Sequence, residues 1–207
     1  MGHSQEDKAA SRAKIVAAAA HRIRLSGLAG FSIADVMKDA DLTHGGFYGH
    51  FSSRDELIAA ALDHALHESK AVYDDCQFSL KQLVTQYLSR AHRDAPSAGC
   101  AVVALASEIP RADGETRAVM DVHLKKYFQK IAAALGDDDE KNRELAIPIV
   151  CMMNGALTLS RLVDDKVLSD KILKQARDYI LEVGGDNAAQ VLSKSSHRSA
   201  SKRGRTD

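Results

Sequence analysis

Apolar residues recur at helical spacing along most of this chain, and the periodicity limits the fold classes open to it. No stretch of comparable length alternates with a period of two, and all three prolines lie beyond residue 95. The sequence therefore predicts an all-α fold of about nine helices. Two apolar stripes lie near the N-terminus: Ile15, Ala18, Ala19 and Ile23, then Ile33, Val36, Met37 and Ala40. Further helices are predicted at Asp55 to Asp74, Leu80 to His92, Gly99 to Ile109, Glu115 to Leu135, Lys141 to Val163 and Leu168 to Val183.

Charge and cysteine content narrow the functional classes. Lys and Arg together number 28, as do Asp and Glu, so a nucleic acid would have to be bound by a local patch. The three cysteines are odd in number and far apart, which fits neither a disulfide framework nor a zinc site. No window approaches the 18 to 20 or so consecutive apolar residues of a membrane span. We expect a cytoplasmic protein with no membrane partner, no metal and no cofactor.

The C-terminal residues differ in composition from the rest of the chain. Residues 193–207 contain one apolar side chain, Ala200, with five basic residues and one acidic residue. Such a segment buries too little surface to become ordered. We predict a disordered basic tail, either solubilising or an arm that binds phosphates.

Glycines and aromatic residues concentrate between residues 27 and 51. Gly27 and Gly30 are predicted to end the first helix in the left-handed conformation. The pattern Ser32-x-x-Asp35 is typical of a helix start, with Ser32 as the N-cap. In the following turn, Asp41 tolerates the left-handed region, Leu42 is expected to be buried, and Thr43 is predicted to cap the next helix. Two short helices joined in this way form a helix-turn-helix.

The second of these helices, Thr43 to Gly49, carries almost no apolar stripe. Only Phe47 is predicted to face inward. Interior glycines cost about 1 kcal/mol each relative to alanine, so their use suggests that something must approach this helix closely. The major groove of DNA would explain the need for small residues.

These residues resemble the TetR-type bacterial transcriptional regulators, over about residues 8 to 62. The most specific part is the run Phe47-Tyr48-Gly49-His50-Phe51. The resemblance implies a three-helix DNA-binding domain (1–55), followed by a larger helical domain (56–192) that binds an effector and dimerises. It also implies that Ser32, Thr43, Tyr48, His50 and Arg54 contact the DNA backbone, while His44, Gly45 and Gly46 line the base edges. Departures from the family pattern are Asp41, Gly46 and Gly49, which leave Thr43 and His44 as the main side chains for base reading.

The second domain lacks the sequence motifs that would indicate an enzyme. It has neither a G-x-x-x-x-G-K phosphate loop nor a Glu-x-x-His motif. His64 and His67 share a helix face but have no clear third metal ligand. Cys100 and Cys151 lie in apolar runs and are predicted to be small buried residues. The remaining alternative is a small-molecule-binding or enzymatic helical protein whose helix-turn-helix is incidental.

The helix Lys141 to Val163 combines a long apolar stripe with small residues. We predict that Gly155, Ala156, Leu159 and Val163 form a homodimer interface, with intramolecular core as the alternative. Pro148 should bend the helix and open space near Asn154. An apolar small-molecule effector of unknown identity is expected, held by Glu108, His123, Tyr127, Cys151, Met152 and Asn154. The predicted function is a repressor that an effector releases from a palindromic DNA operator.

Overall fold

A computed structural model describes residues 5–30, 32–74, 79–136 and 139–202, with side chains described except at 69–74 and 186–202. Within these ranges the chain has nine α-helices, three 3₁₀ helices and no strand, so the all-α prediction is confirmed. The α-helices are α1 (Gln5–Ser26), α2 (Ile33–Asp39), α3 (Arg54–Asp74), α4 (Leu80–Tyr87), α5 (Arg90–Asp94), α6 (Ala101–Leu105), α7 (Gly114–Leu135), α8 (Glu140–Leu162) and α9 (Lys166–Lys202). The 3₁₀ helices are His44–Gly49, Pro96–Ala98 and Ile109–Arg111.

Two predicted helices are shorter than expected. The helix predicted at Leu80 to His92 is interrupted at Leu88, which has φ −91° and ψ 47° and is buried. The helix predicted at Gly99 to Ile109 ends at Leu105, and a separate 3₁₀ helix follows from Ile109. Pro110 has no N–H group to donate to the carbonyl of Ala106, so an α-helix could not continue unbroken through this segment.

The chain forms two compact units. Unit 1 comprises residues 1–76 and 91–124, and unit 2 comprises residues 77–90 and 125–207. The domain boundary predicted between residues 55 and 56 falls in the first turn of α3. The backbone of residues 193–202, predicted as part of a disordered tail, is the end of the helix α9. Residues 203–207 of the predicted tail lie outside the described residues, and the domain boundary stays a prediction.

Unit 1 is built on α1, which packs against α2, α3 and α6. An ion pair adds to the apolar packing of α1 on α2: Arg22 Nε and Nη2 lie 2.5 and 2.9 Å from the two carboxylate oxygens of Asp39. This bidentate bond raises the pKa of Arg22 and lowers the pKa of Asp39. The largest fully buried side chains of the unit are Ile15, Ile23, Met37, Phe47, Phe51, Leu57, Leu62 and Leu105.

Unit 2 is built on α8 and α9, with α4 packed against α9. By length and composition alone α8 would suit a membrane span, because its most apolar 18-residue window has a mean hydropathy of 1.5. Its buried residues recur at helical spacing on one side, as in the core helix of a globular unit. They are Asn142, Ala146, Ile149, Val150, Met153, Ala156, Leu157 and Ser160.

The two glycines after α1 play different roles. Gly27 has φ +76°, which confirms the predicted left-handed position. Gly30 is not left-handed, so that part of the prediction is wrong. It is glycine for lack of space, because an added Cβ would collide with the carbonyl oxygen of Ser26.

The carboxylate of Glu56 stabilises the start of α3. Glu56 Oε2 accepts hydrogen bonds from the N–H and the hydroxyl of Ser52, both at 2.7 Å, and Arg12 of α1 lies 3.5 Å from Oε1. The Ser52 N–H, then the Ser52 hydroxyl and Arg12, lower the pKa of Glu56. The carboxylate therefore ties the start of α3 to α1.

This cap predicts a pH-dependent stability. Because the pKa of Glu56 is lower in the folded state than in the unfolded state, its contribution is complete above the unfolded pKa and is lost as the pH falls through the folded pKa. Glu56→Gln should therefore destabilise the protein at neutral pH, and the difference from wild type should shrink in acid. Urea unfolding between pH 7 and 3 measures this, with Glu144→Gln in α8 as the control. A difference that stayed constant with pH would contradict the assignment.

Candidate nucleic-acid interface

The helix-turn-helix of unit 1 begins at Ser32 and turns at Asp41. The Ser32 hydroxyl oxygen accepts from the N–H of Asp35 at 3.2 Å, which confirms the predicted N-cap. Asp41 has φ +57°, which confirms the predicted left-handed residue in the turn. The N–H of Leu42 donates to the carbonyl of Met37 at 2.9 Å, and the Leu42 side chain is only partly buried. The turn thus brings the chain back onto α2.

Segment 44–50, the 3₁₀ helix His44–Gly49 with His50, follows this turn and packs against α2. Only Phe47 is fully buried, as predicted. The segment forms a 3₁₀ helix, which has backbone hydrogen bonds between residues i and i+3 and is usually only a few residues long. Tyr48 has 73% of its surface exposed, although it is a large aromatic residue. The segment therefore turns one side chain fully inward and leaves Tyr48 largely exposed.

Three aromatic rings fix the segment on its support. Phe47 and Phe51 stack at 5.8 Å between centroids, and Tyr48 meets Phe47 edge-on at 5.1 Å. The Arg12 guanidinium lies 4.6 Å from the centroid of Phe51, a cation–π contact from α1. Since Tyr48 rests against a buried ring, its exposed position is defined by packing. The Arg12 contacts with Phe51 and Glu56 are a part of the site that the sequence analysis missed, because nothing in the local sequence links Arg12 to residues 51–56.

The chain's own packing does not require glycine at the three glycine positions of segment 44–50. An added Cβ at Gly45 or Gly49 would meet no other atom within 4 Å, and at Gly46 it would make ordinary contacts of 3.7 Å with Met37 and Thr43. All three have φ values that residues other than glycine adopt. Intramolecular packing therefore does not explain these glycines, which is consistent with a close approach from outside.

Three predicted DNA contacts have specific surroundings. Thr43 precedes the 3₁₀ helix in extended conformation, but its side chain makes no capping bond, so the predicted cap is wrong at the side chain. Thr43 is exposed. His50 Nδ1 is buried without a hydrogen-bond partner in the described part of the chain. Arg54 donates from Nη2 to the carbonyl of Leu28. A guanidinium has five N–H donors, so this bond does not by itself prevent a phosphate contact.

The six residues predicted to bind an effector do not all belong to one unit. Glu108 and His123 are in unit 1, whereas Tyr127, Cys151, Met152 and Asn154 are in unit 2. The Glu108 carboxylate accepts from backbone N–H groups of the loop after α1. The Asn154 side chain has partners within the chain: its amide oxygen accepts from the Tyr87 hydroxyl at 2.8 Å, and its amide nitrogen donates to the carbonyl of Val150 at 2.8 Å.

Two expectations about α8 are corrected. Cys151 is exposed, and only Cys100 of the two predicted buried cysteines is buried. The reason is that Cys151 lies on the helix face opposite the buried stripe. Ala156, predicted at the dimer interface, is buried inside unit 2, whereas Gly155 and Leu159 are exposed and Val163 is partly buried. Among the described residues, no group of three or more His, Cys, Asp or Glu side chains is placed to hold a metal ion.

Two family models match the chain. Residues 15–61 match the model described as bacterial regulatory proteins of the tetR family, and these residues contain α2, the turn and segment 44–50. Residues 78–174 match the model described as the C-terminal domain of LmrA/YxaF-like transcriptional regulators. Both halves of the chain thus match models of transcriptional regulators.

Related proteins agree with this assignment. An uncharacterized HTH-type transcriptional regulator of Mycobacterium tuberculosis is 25% identical over 182 residues, which are 82% of this chain and 94% of that protein. TtgR, an HTH-type regulator of Pseudomonas putida, is 36% identical over 66 residues, which are 32% of this chain and 31% of that protein. A TetR-family regulator from Cytophaga hutchinsonii has the same fold, with a TM-score of 0.71, 20% identity, and coverage of 88% of this chain and 98% of that one. The chain therefore belongs to the TetR family of bacterial regulatory proteins, and it is a DNA-binding transcriptional regulator and not an enzyme.

Proposed function

We propose that this regulator is a cytoplasmic homodimeric repressor that binds a palindromic operator through segment 44–50 and is released by a small apolar effector. The observation that carries the proposal is the construction of that segment: one buried side chain, an exposed Tyr48, and glycines that its own fold does not need. A helix that buries so little of itself has its function at the surface. In a helix-turn-helix, that surface enters the major groove.

The proposed contacts divide into two groups. Ser32, Thr43, Tyr48, His50 and Arg54 contact phosphates and fix the register, while His44, Gly45 and Gly46 face the base edges. Cations of unit 1 such as Arg22 and Arg12 are paired with carboxylates. The overall charge of the unit therefore contributes less to the attraction of DNA than the position of individual donors does. Affinity would therefore depend on a few well-placed donors.

Gly45 offers the sharpest test of segment 44–50. Gly45→Ala should fold normally, and with about 0.5–1 kcal/mol of added stability, because alanine restricts the unfolded chain and meets no neighbour. The added methyl should nevertheless lower the affinity for DNA at least about tenfold, or about 1.4 kcal/mol. Fluorescence anisotropy with a duplex selected from random DNA by the wild-type protein measures this loss.

The matched control for Gly45→Ala is Gly114→Ala, at the start of α7. A Cβ at Gly114 also meets nothing within 4 Å. This variant should bind DNA like the wild type. Equal affinity of all three proteins would place the DNA contact elsewhere.

An outward apolar face of unit 2 supports the dimer. Ile147, Cys151, Gly155, Leu159 and Leu162 recur along α8 at intervals of three or four, all exposed and opposite the buried stripe. Val167, Leu168 and Tyr179 of α9 are also exposed, large and apolar. A second copy related by a two-fold axis would cover such a surface with the same surface of its own chain. Gly155 would permit close approach at its centre.

A charge on this face should prevent the dimer. Leu159 is 54% exposed, so Leu159→Glu leaves the monomer fold intact but places a carboxylate in the interface. Light scattering should then give the mass of a monomer. Leu25→Glu changes a leucine of unit 1 that is 59% exposed, and it should remain dimeric. A dimeric Leu159→Glu protein, or a monomeric wild type, would exclude this interface.

The effector proposal assigns unit 2 a ligand site near Tyr127, Met152 and Asn154, with a mainly apolar lining. A ligand can release DNA only by the difference between its affinities for the two states of the protein. The coupling is reciprocal, so operator DNA must weaken the ligand by the factor by which the ligand weakens DNA.

Calorimetry tests this reciprocity directly. Apolar compounds that raise the melting temperature in a thermal-shift screen are titrated into the protein with and without the selected duplex. We expect at least about fivefold weaker ligand binding in the presence of DNA, which corresponds to a coupling of about 1 kcal/mol. Equal affinities in both titrations would contradict release by an effector while leaving DNA binding in place.

A further inference from the structure

A carboxylate from α6's C-terminal side holds the loop that leads into the helix-turn-helix. Glu108 Oε2 accepts from two successive backbone N–H groups, those of Leu28 at 2.9 Å and Ala29 at 3.3 Å. Successive N–H groups that converge on one oxygen form a small anion-binding concavity. The acceptor of both bonds is the Glu108 carboxylate, and hydrogen bonds to a carboxylate are stronger than those between neutral groups. Leu28, at the centre of the loop, is buried.

The same loop is held from a second direction. Arg54, the first residue of α3, donates to the carbonyl of Leu28, whose N–H is bound by Glu108. Both polar groups of this one residue are therefore engaged by ionised side chains from distant parts of the sequence. The residue before Leu28, Gly27, must be glycine for two reasons. Its φ of +76° suits glycine, and a Cβ there would collide with the Glu108 carboxylate.

Glu108 itself is fixed by its neighbours along the chain. It directly precedes the 3₁₀ helix Ile109–Arg111, and Leu105 and Ile109 on either side are buried. A shift of residues 105–109 would therefore move the carboxylate with them. The loop that the carboxylate holds continues through the Ser32 cap into α2, against which segment 44–50 packs.

We infer that Glu108 is a positioning residue for DNA binding: it sets the path of the loop at residues 27–29 and so the placement of α2 and segment 44–50. This assigns it a different role from the effector contact that the sequence predicted. The inference rests on the proposed use of segment 44–50 for DNA.

Amide exchange in the free protein tests the contact itself. In Glu108→Ala, the N–H groups of Leu28 and Ala29 should exchange with solvent at least about tenfold faster, as the loss of about 1.4 kcal/mol of local protection predicts. Glu108→Gln keeps an oxygen acceptor of the same size and should retain part of the protection. Glu115→Ala, which removes an exposed carboxylate at the start of α7, should leave both amides unchanged. Unchanged protection in Glu108→Ala would overturn the inference.

A double-mutant cycle on DNA affinity tests the positioning role. Gly27→Ala and Glu108→Ala should each weaken binding to the selected duplex at least about fivefold, with helix content and melting midpoint followed in parallel. The collision at Gly27 needs the Glu108 carboxylate, so Gly27→Ala should cost less in the Glu108→Ala background than in the wild type. A simple loss of stability would instead give effects that multiply.

The two assays separate this inference from the proposed function. Strictly multiplicative effects, or wild-type affinity in Glu108→Ala, would overturn the positioning role. A wild-type protein that bound no duplex would contradict the proposed function, and the amide exchange would still decide whether Glu108 holds the loop.

Discussion

The burial of Phe47 is the interaction on which the proposed DNA-binding surface depends. This ring is the one fully buried side chain of segment 44–50, and it contacts Phe51 on one side and Tyr48 on the other. A six-residue helix with three glycines has almost no stability of its own. Its position therefore comes from the ring that it inserts beside α2, and the exposed residues are held where that ring places them.

Longer-range polar contacts hold the frame around this ring. Arg22 joins α1 to α2 through Asp39, and Arg12 joins α1 to the start of α3 through Glu56. Glu108 and Arg54 hold the loop between α1 and α2. Each of these side chains links elements that are distant in sequence, so the small helix-turn-helix is supported at its entrance, at its exit and along its first helix.

Much of unit 1 was predictable because its signals are local. A capping serine, a left-handed Asp41 and a single inward Phe47 are properties of a few adjacent residues, and all three predictions are confirmed. The partners of Arg22 and Glu108 were not predictable, because 17 and 80 residues separate the bonded groups. A sequence pattern carries no information about such pairs unless the path of the chain is known.

The sequence correctly predicts that α8 is a helix, but the predictions did not distinguish its inward face from its outward face. The predicted stripe included Ala156, which is buried, and the predicted buried Cys151 is exposed. A helix that is apolar on both sides has no polar face to define its orientation. The same property makes the outward face suitable for a second copy of the chain, because burial within the unit and burial between copies require the same residue types.

In the proposed mode of binding, two copies of segment 44–50, held in a symmetric dimer, read the DNA. Hydroxyl-radical footprinting of the wild-type protein on the selected duplex locates the contacts of both copies. We expect two protected half-sites related by a two-fold axis, with centres separated by about 34–36 Å or a multiple of that distance. A single asymmetric protected stretch, or uniform weak protection along the duplex, would contradict it.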